Sequence, residues 1–84
     1  MKFYLAHAVV HDGAYEYGEH FPLAAANERE AAEQAKHALL KVYGDPEEDS
    51  FDEKDQLDLM DRIVVFDGVR EITCGAYLVL QEYL

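Results

Sequence analysis

The sequence contains a single cysteine, Cys74, among 84 residues. No disulfide can form within the chain, so its stability has to come from packing, and a reducing intracellular compartment is the expected setting. Because an unpaired cysteine usually behaves as a small hydrophobic residue, we expect Cys74 to be buried in a strand.

Long apolar runs are also missing. No stretch approaches the roughly 18 apolar residues that mark a membrane-spanning helix. The segment that opens with Met1 and Lys2 lacks the long apolar core of a signal peptide. We therefore expect no association with a membrane and a cytoplasmic location.

Basic residues are scarce. The chain has seven Lys and Arg against 18 Asp and Glu, which gives a formal net charge of −11. Nucleic acid is itself a polyanion, so direct binding to DNA or RNA is not expected. A basic protein partner, or simply high solubility, is what such a charge favours.

The residue types that carry common catalytic motifs are few. Ser50 is the only serine, and its position suits a helix cap better than a nucleophile. The five glycines are scattered, so no phosphate-binding loop is present. An 84-residue chain also has a thin core in which an enclosed active site is hard to build. We predict no catalytic residues, no cofactor and no enzymatic activity.

Half of the residues are hydrophobic, which favours a folded chain, and the length favours one domain over residues 1–84. The first apolar segments predict strands at about 2–10 and 15–24. Asp12 and Gly13 lie between them and are typical of a two-residue hairpin turn. Pro22 has no N–H to donate, so we expect the second strand to lie at a sheet edge.

The clearest helix follows. Asn27 and Glu30 form a capping-box pattern, apolar residues then recur at helical spacing, and Gly44 provides a stop. A second helix is predicted at about 51–60, because Ser50 begins a similar capping pattern.

The C-terminal part reads as strands. A second Asp-Gly pair, Asp67 and Gly68, predicts a hairpin between segments 63–66 and 69–72, and an apolar strand is expected over 76–84. The predicted order is ββ-α-α-βββ. We therefore expect a small α+β domain whose antiparallel or mixed sheet carries one long helix on one face.

The most unusual feature is an acidic segment. It contains nine carboxylates and one basic residue, Lys54, which gives the segment a net charge of −8. The acidic residues are Asp45, Glu47, Glu48, Asp49, Asp52, Glu53, Asp55, Asp58 and Asp61. The segment lacks the central glycine and the ligand spacing of an EF-hand, so a calcium loop is not indicated. A solvated surface and a binding site for a basic partner are the remaining interpretations.

Histidines supply the second candidate. If Asp12 and Gly13 form the turn, His7 lies opposite Gly18, and His20 is its diagonal neighbour on the same sheet face. The side chains of these two histidines and of Glu16 are of the types that bind zinc or iron. Ordinary exposed strand histidines are the alternative.

The sequence thus predicts a non-enzymatic acidic module that binds a basic protein partner through the nine carboxylates. In its sharpest form it would mimic nucleic acid, as a phage-type inhibitor of a host nucleic-acid-binding complex does. One alternative is a small metal-binding or enzymatic domain that uses His7, Glu16 and His20. Another is an accessory domain that forms a homodimer through a sheet edge.

Overall fold

The computed structural model describes residues 1–82, in which one antiparallel four-stranded sheet packs with two helices. The elements are β1 (Lys2–Asp12), β2 (Tyr15–Ala25), α1 (Glu28–Tyr43), β3 (Gln56–Asp58), β4 (Ile63–Ile72) and α2 (Cys74–Gln81). The strands lie in the order β2-β1-β4-β3. The α+β class and the antiparallel sheet are confirmed, whereas the predicted order ββ-α-α-βββ is wrong, because the order is ββ-α-ββ-α.

The first hairpin forms as predicted, but its turn lies one residue further along the chain. Gly13 takes the first turn position with φ of 63°, where the prediction had Asp12. A glycine with positive φ at this position is typical of a type II′ hairpin turn. As a result His7 lies opposite His20 instead of Gly18. A register change of two residues leaves every side chain on its predicted face, because the period of a strand is two.

β2 is an edge strand, as Pro22 predicted. The missing N–H of Pro22 does not interrupt the sheet, since β2 pairs with β1 on one side only. Assembly of two chains through this edge stays a prediction.

Helix α1 begins and ends where the sequence indicated. The side chain of Asn27 accepts a hydrogen bond of 2.9 Å from the N–H of Glu30, and Gly44 closes the last turn by donating to the carbonyl of Leu40. The helix packs on one sheet face, and its small alanines allow a close approach. The buried hydrophobic residues are Tyr4, Ala6, Ala8, Val10, Ala25, Ala31, Ala35, Leu39, Leu57, Val64 and Phe66.

The predicted helix at 51–60 is wrong, because this region forms a loop that leads into the three-residue strand β3. Asp52 Oδ1 accepts hydrogen bonds from two backbone N–H groups, including that of Gln56, so a local turn replaces helical bonding. Asp55 has φ of 59°, which ends any helical course. Leu57 then enters the core and is only 1% exposed.

The predicted turn at Asp67 and Gly68 is also wrong. Residues 63–66 and 69–72 belong to one strand, β4, which pairs with β1 along nearly its whole length. Ala8 faces Phe66 and His7 faces Gly68, so Asp67 is the extra residue of a β-bulge. Gly68 has φ of 108°, a value that a residue with a side chain rarely adopts.

The predicted strand over 76–84 is wrong as well, because Cys74–Gln81 forms helix α2. Thr73 caps this helix by accepting a hydrogen bond of 3.1 Å from the N–H of Ala76. A short apolar run does not distinguish a strand from a helix by its periodicity. Positions 83 and 84 of the predicted strand lie outside the described residues.

Helix α2 covers one end of the sheet face opposite α1. The ring of Tyr77 lies 4.6 Å from that of Phe3 between centroids. Leu78 and Val79 stay 57% and 55% exposed. Cys74 is exposed at the start of the helix, so the expectation that it is buried in a strand is wrong. Neither this helix nor α1 has the length and hydrophobicity needed to cross a membrane, and residues 1–82 contain no other helix.

Candidate functional site

A cleft of about 380 Å³ opens on the part of the second sheet face that α2 does not cover. We call it the histidine cleft. Its lining residues are Leu5, His7, His20, Asp67, Gly68, Val69 and Arg70, which come from β1, β2 and β4. Three strands therefore contribute side chains to one concave surface.

The two histidines of the cleft stack on each other. His7 and His20 are direct partners across β1 and β2, and their rings lie 4.2 Å apart between centroids with an angle of 12°. A Cβ atom at Gly18 would lie 3.6 Å from His7 Nε2 and 3.5 Å from His20 Cε1. Because Gly18 has no side chain, the parts of the His7 and His20 rings that face it stay uncovered.

The bulge in β4 brings a carboxylate to His7. Asp67 Oδ2 lies 2.9 Å from His7 Nδ1, with the two side chains 36% (His7) and 61% (Asp67) exposed. Since an ionised carboxylate only accepts hydrogen bonds, Nδ1 carries the hydrogen and donates it. In the neutral ring Nε2 is then left as an acceptor. An Asp–His pair of this kind fixes both the orientation and the tautomer of the imidazole.

The predicted group of His7, Glu16 and His20 is only partly assembled. Glu16 lies beside His11, at 3.6 Å from its Nδ1, and these two residues are partners in the hairpin. The carboxylate near His7 comes instead from Asp67. Sequence reasoning missed Asp67 because an Asp-Gly pair between apolar segments was interpreted as a turn.

The stacked rings are poorly arranged for a shared metal ion. An imidazole nitrogen binds a metal in the plane of its ring. The ring planes of His7 and His20 are nearly parallel and separate, so one ion cannot lie in both. Within residues 1–82 no group of three or more His, Cys, Asp or Glu side chains is arranged to hold a metal.

Arg70 adds a positive charge to the cleft. It lies opposite Leu5 in the pairing of β4 with β1, and it is exposed. No carboxylate of the described residues lies within ion-pair distance of its guanidinium. The cleft thus contains a positive group besides the pair formed by His7 and Asp67.

The acidic segment forms the second surface, and part of its charge stabilises its own loops. Asp49 Oδ2 accepts a hydrogen bond of 2.7 Å from the N–H of Asp45, and Asp45 Oδ1 accepts one of 2.9 Å from the N–H of Glu47. Asp52 holds the next turn, as described above. These side-chain hydrogen bonds satisfy backbone N–H groups of the loop, where no helix or strand provides a partner.

Two further carboxylates form ion pairs. Asp55 pairs with Lys36 of α1, and Asp61 pairs with Arg62 at 3.2 Å. The hydrogen bond from the Arg62 guanidinium lowers the pKa of Asp61 below its usual value. Five of the nine predicted partner-binding residues therefore have structural roles within the protein.

The other four carboxylates are exposed and have no side-chain partner among the described residues. We call them the free acidic set; they are Glu47, Glu48, Glu53 and Asp58. Close to Asp58, Met60 is completely exposed, and it borders a groove of about 310 Å³. Methionine is among the residue types that are enriched in protein–protein interfaces.

The end of α1 is tied to the hairpin by a polar contact. The hydroxyl of Tyr43 donates a hydrogen bond to Glu19 Oε1 of β2. Burial raises the pKa of Tyr43 well above its usual value, and the hydrogen bond with Glu19 raises it further. This contact stabilises the side of the sheet on which α1 packs.

The histidine cleft and the acidic segment are thus the two surfaces with an unusual arrangement of polar groups. One brings together side chains from three strands, and the other combines free carboxylates with an exposed methionine. Comparisons of the chain with protein-family models, with curated proteins and with solved structures found no match.

Proposed function

We propose that the protein is a non-enzymatic interaction module that binds a basic protein partner through the acidic segment. The observation that carries this proposal is Met60, which is fully exposed between Asp58 and Asp61 and beside a groove. An apolar anchor surrounded by charge offers both burial and electrostatic selectivity. The exposed, unpaired Cys74 fits action in a reducing compartment such as the cytoplasm.

The loop bonds of the acidic segment support the same proposal. Asp45, Asp49 and Asp52 hold the loop backbone in place, so Glu47, Glu48 and Glu53 lie on ordered loops, and Asp58 lies at the end of β3. An ordered surface loses less conformational entropy when a partner binds. Each exposed charge pair contributes little alone, so affinity has to come from several acting together.

Mimicry of nucleic acid is the finer form of this proposal. Asp49, Asp52, Asp55, Asp58 and Asp61 recur at every third position of the sequence, but the segment forms loops and a short strand, so they do not follow the regular rise of a helix. A mimic would have to present an irregular acidic surface to a basic groove of its partner. Competition between the protein and DNA or RNA for one partner distinguishes mimicry from ordinary acidic recognition.

The test compares two variants that change the net charge equally, from −11 to −7. The first carries E47Q, E48Q, E53Q and D58N in the free acidic set. The matched control carries E28Q, E33Q, E71Q and E82Q, which lie outside the acidic segment. A third variant, M60A, removes the apolar anchor alone.

Wild type and the three variants are used to capture proteins from a cell lysate, and binding of the captured partner is measured at two salt concentrations. We expect the free-set variant to bind at least about tenfold more weakly, which corresponds to about 1.4 kcal/mol. Its salt dependence should also be smaller, because screening acts on exposed charges within about 8 Å at physiological ionic strength. Equal binding by the free-set variant and the control would show that the acidic segment is a solvated surface and does not bind the partner.

A further inference from the structure

We propose that the histidine cleft binds a small zwitterion, a molecule of the amino-acid class that carries an ammonium group and a carboxylate. This site lies on the open sheet face and involves no residue of the acidic segment. It is therefore independent of the protein-binding function proposed above.

The acceptor side of the cleft suits an ammonium group. Asp67 uses Oδ2 for His7, so its second oxygen is open to another donor. His7 Nε2 lies on the other edge of the ring, toward Gly18, and takes no part in this contact, because His7 binds Asp67 through Nδ1. An ammonium group can therefore donate to the open oxygen of Asp67, which the hydrogen bond from His7 holds in place.

The opposite side of the cleft suits a carboxylate. Arg70 lies opposite Leu5, which is two residues from His7 on the same face of β1. Its guanidinium presents a planar fork that matches the two oxygens of a carboxylate. Diagonal positions in an antiparallel pair are roughly 7–8 Å apart, so a small molecule can reach from Arg70 to His7.

The separation of charge within the cleft favours a zwitterion over a simple ion. Arg70 and Asp67 carry opposite charges, and they do not pair with each other. An anion would meet Asp67 and the repulsion of a chain with net charge −11. A cation would leave Arg70 without a partner, whereas a zwitterion satisfies both groups. The volume of about 380 Å³ lies at the small end of ligand sites, and Leu5 and Val69 provide apolar contact.

The experiment is an NMR titration of the full chain with L-alanine, followed through the backbone amides of Gly18, Gly68 and Val69. Propionate and ethylamine are the matched controls, because propionate lacks the ammonium group of alanine and ethylamine lacks its carboxylate. We expect saturable shifts with L-alanine and at least tenfold weaker binding of either control. Shifts that do not saturate, or equal binding of propionate or ethylamine, would overturn the proposal.

Two variants test the assigned contacts. R70Q should raise the Kd for L-alanine at least tenfold, and D67N should do the same by removing the negative charge beside His7. R29Q and E28Q are the charge-matched controls, since both residues lie on α1 away from the cleft and are exposed. Melting temperatures confirm that each variant is folded, and R70Q changes an exposed side chain, so the test does not depend on D67N. Unchanged affinity in R70Q, or equal weakening in R29Q, would contradict the assignment.

Discussion

Replacing Leu57 by alanine should destabilise the whole domain, although β3 has only three residues. Leu57 is 1% exposed and is among the largest fully buried side chains of the described residues. It belongs to the cluster that joins the sheet to α1, against which Phe51 and Leu59 also pack. The side chain therefore anchors the acidic segment to the core.

The size of the effect follows from this burial. Leu→Ala in a core costs about 2–5 kcal/mol, from lost transfer free energy and the cavity that remains. A domain of this size has a total stability of roughly 4–13 kcal/mol. A loss of about 3 kcal/mol should lower the melting temperature by roughly 12–24 °C, since each kcal/mol corresponds to about 4–8 °C in small domains.

The assay is urea unfolding followed by circular dichroism, with L57A compared with L78A. Leu78 undergoes the same chemical change in α2 but is 57% exposed, so its stability should change by less than about 1 kcal/mol. Hydrogen exchange of residues 56–58 distinguishes global from local opening. If L57A and L78A were equally stable, or if L57A only opened residues 56–58 locally, β3 would not be part of the cooperative core.

Two further predictions concern glycine positions and pH. G68A should destabilise the domain by about 1–2 kcal/mol, because alanine at φ of 108° is strained. G75A should instead stabilise the domain by up to about 1 kcal/mol, because alanine is preferred over glycine in a helix. The added Cβ atom at position 75 would meet only Thr73 Oγ1, at 4.0 Å. Chemical denaturation of both variants checks this, and the same sign for both would refute it. Because the pKa of Tyr43 is raised above the ordinary tyrosine value of 10, this residue contributes its full stabilisation below pH 10. As the pH rises above 10, the free energy of unfolding should fall by at most about 1.4 kcal/mol per pH unit. Denaturation between pH 9 and 11 should therefore show a smaller decline for Y43F than for wild type, and equal slopes would contradict the role of its hydrogen bond with Glu19.

Local signals predicted α1 well because its determinants are local. Asn27 caps the helix through a bond to a residue only three positions away, and alanines at helical spacing form its buried face. The hairpin was predicted for a similar reason, and its faces were correct although the register was off by two. The alternation of side chains decides the face, whereas the placement of Gly13 decides the register.

The other elements depend on contacts that lie far apart in the sequence. Asp-Gly pairs suit both a hairpin turn and a bulge, because each can require a glycine with positive φ. Gly13 lies in the turn, whereas Gly68 lies in the bulge, because the residues on both sides of Gly68 pair with the same strand, β1. Likewise, Ser50 resembled a helix cap, but burial of Leu57 favours a strand at this point. Asp67 could not be assigned to the histidine site without the bulge.

The structure also changes which carboxylates can be tested as binding residues. The carbonyl of Asp55 accepts a hydrogen bond of 2.8 Å from the N–H of Phe66, the residue directly before Asp67. Lys36, which pairs with Asp55, lies 5.4 Å from the centre of the Phe66 ring. A change at Asp55 therefore removes an ion pair next to the strand that carries the histidine cleft. Loss of partner binding in such a variant would not identify a contact residue, whereas loss in the free acidic set would, because those side chains have no structural partner among the described residues.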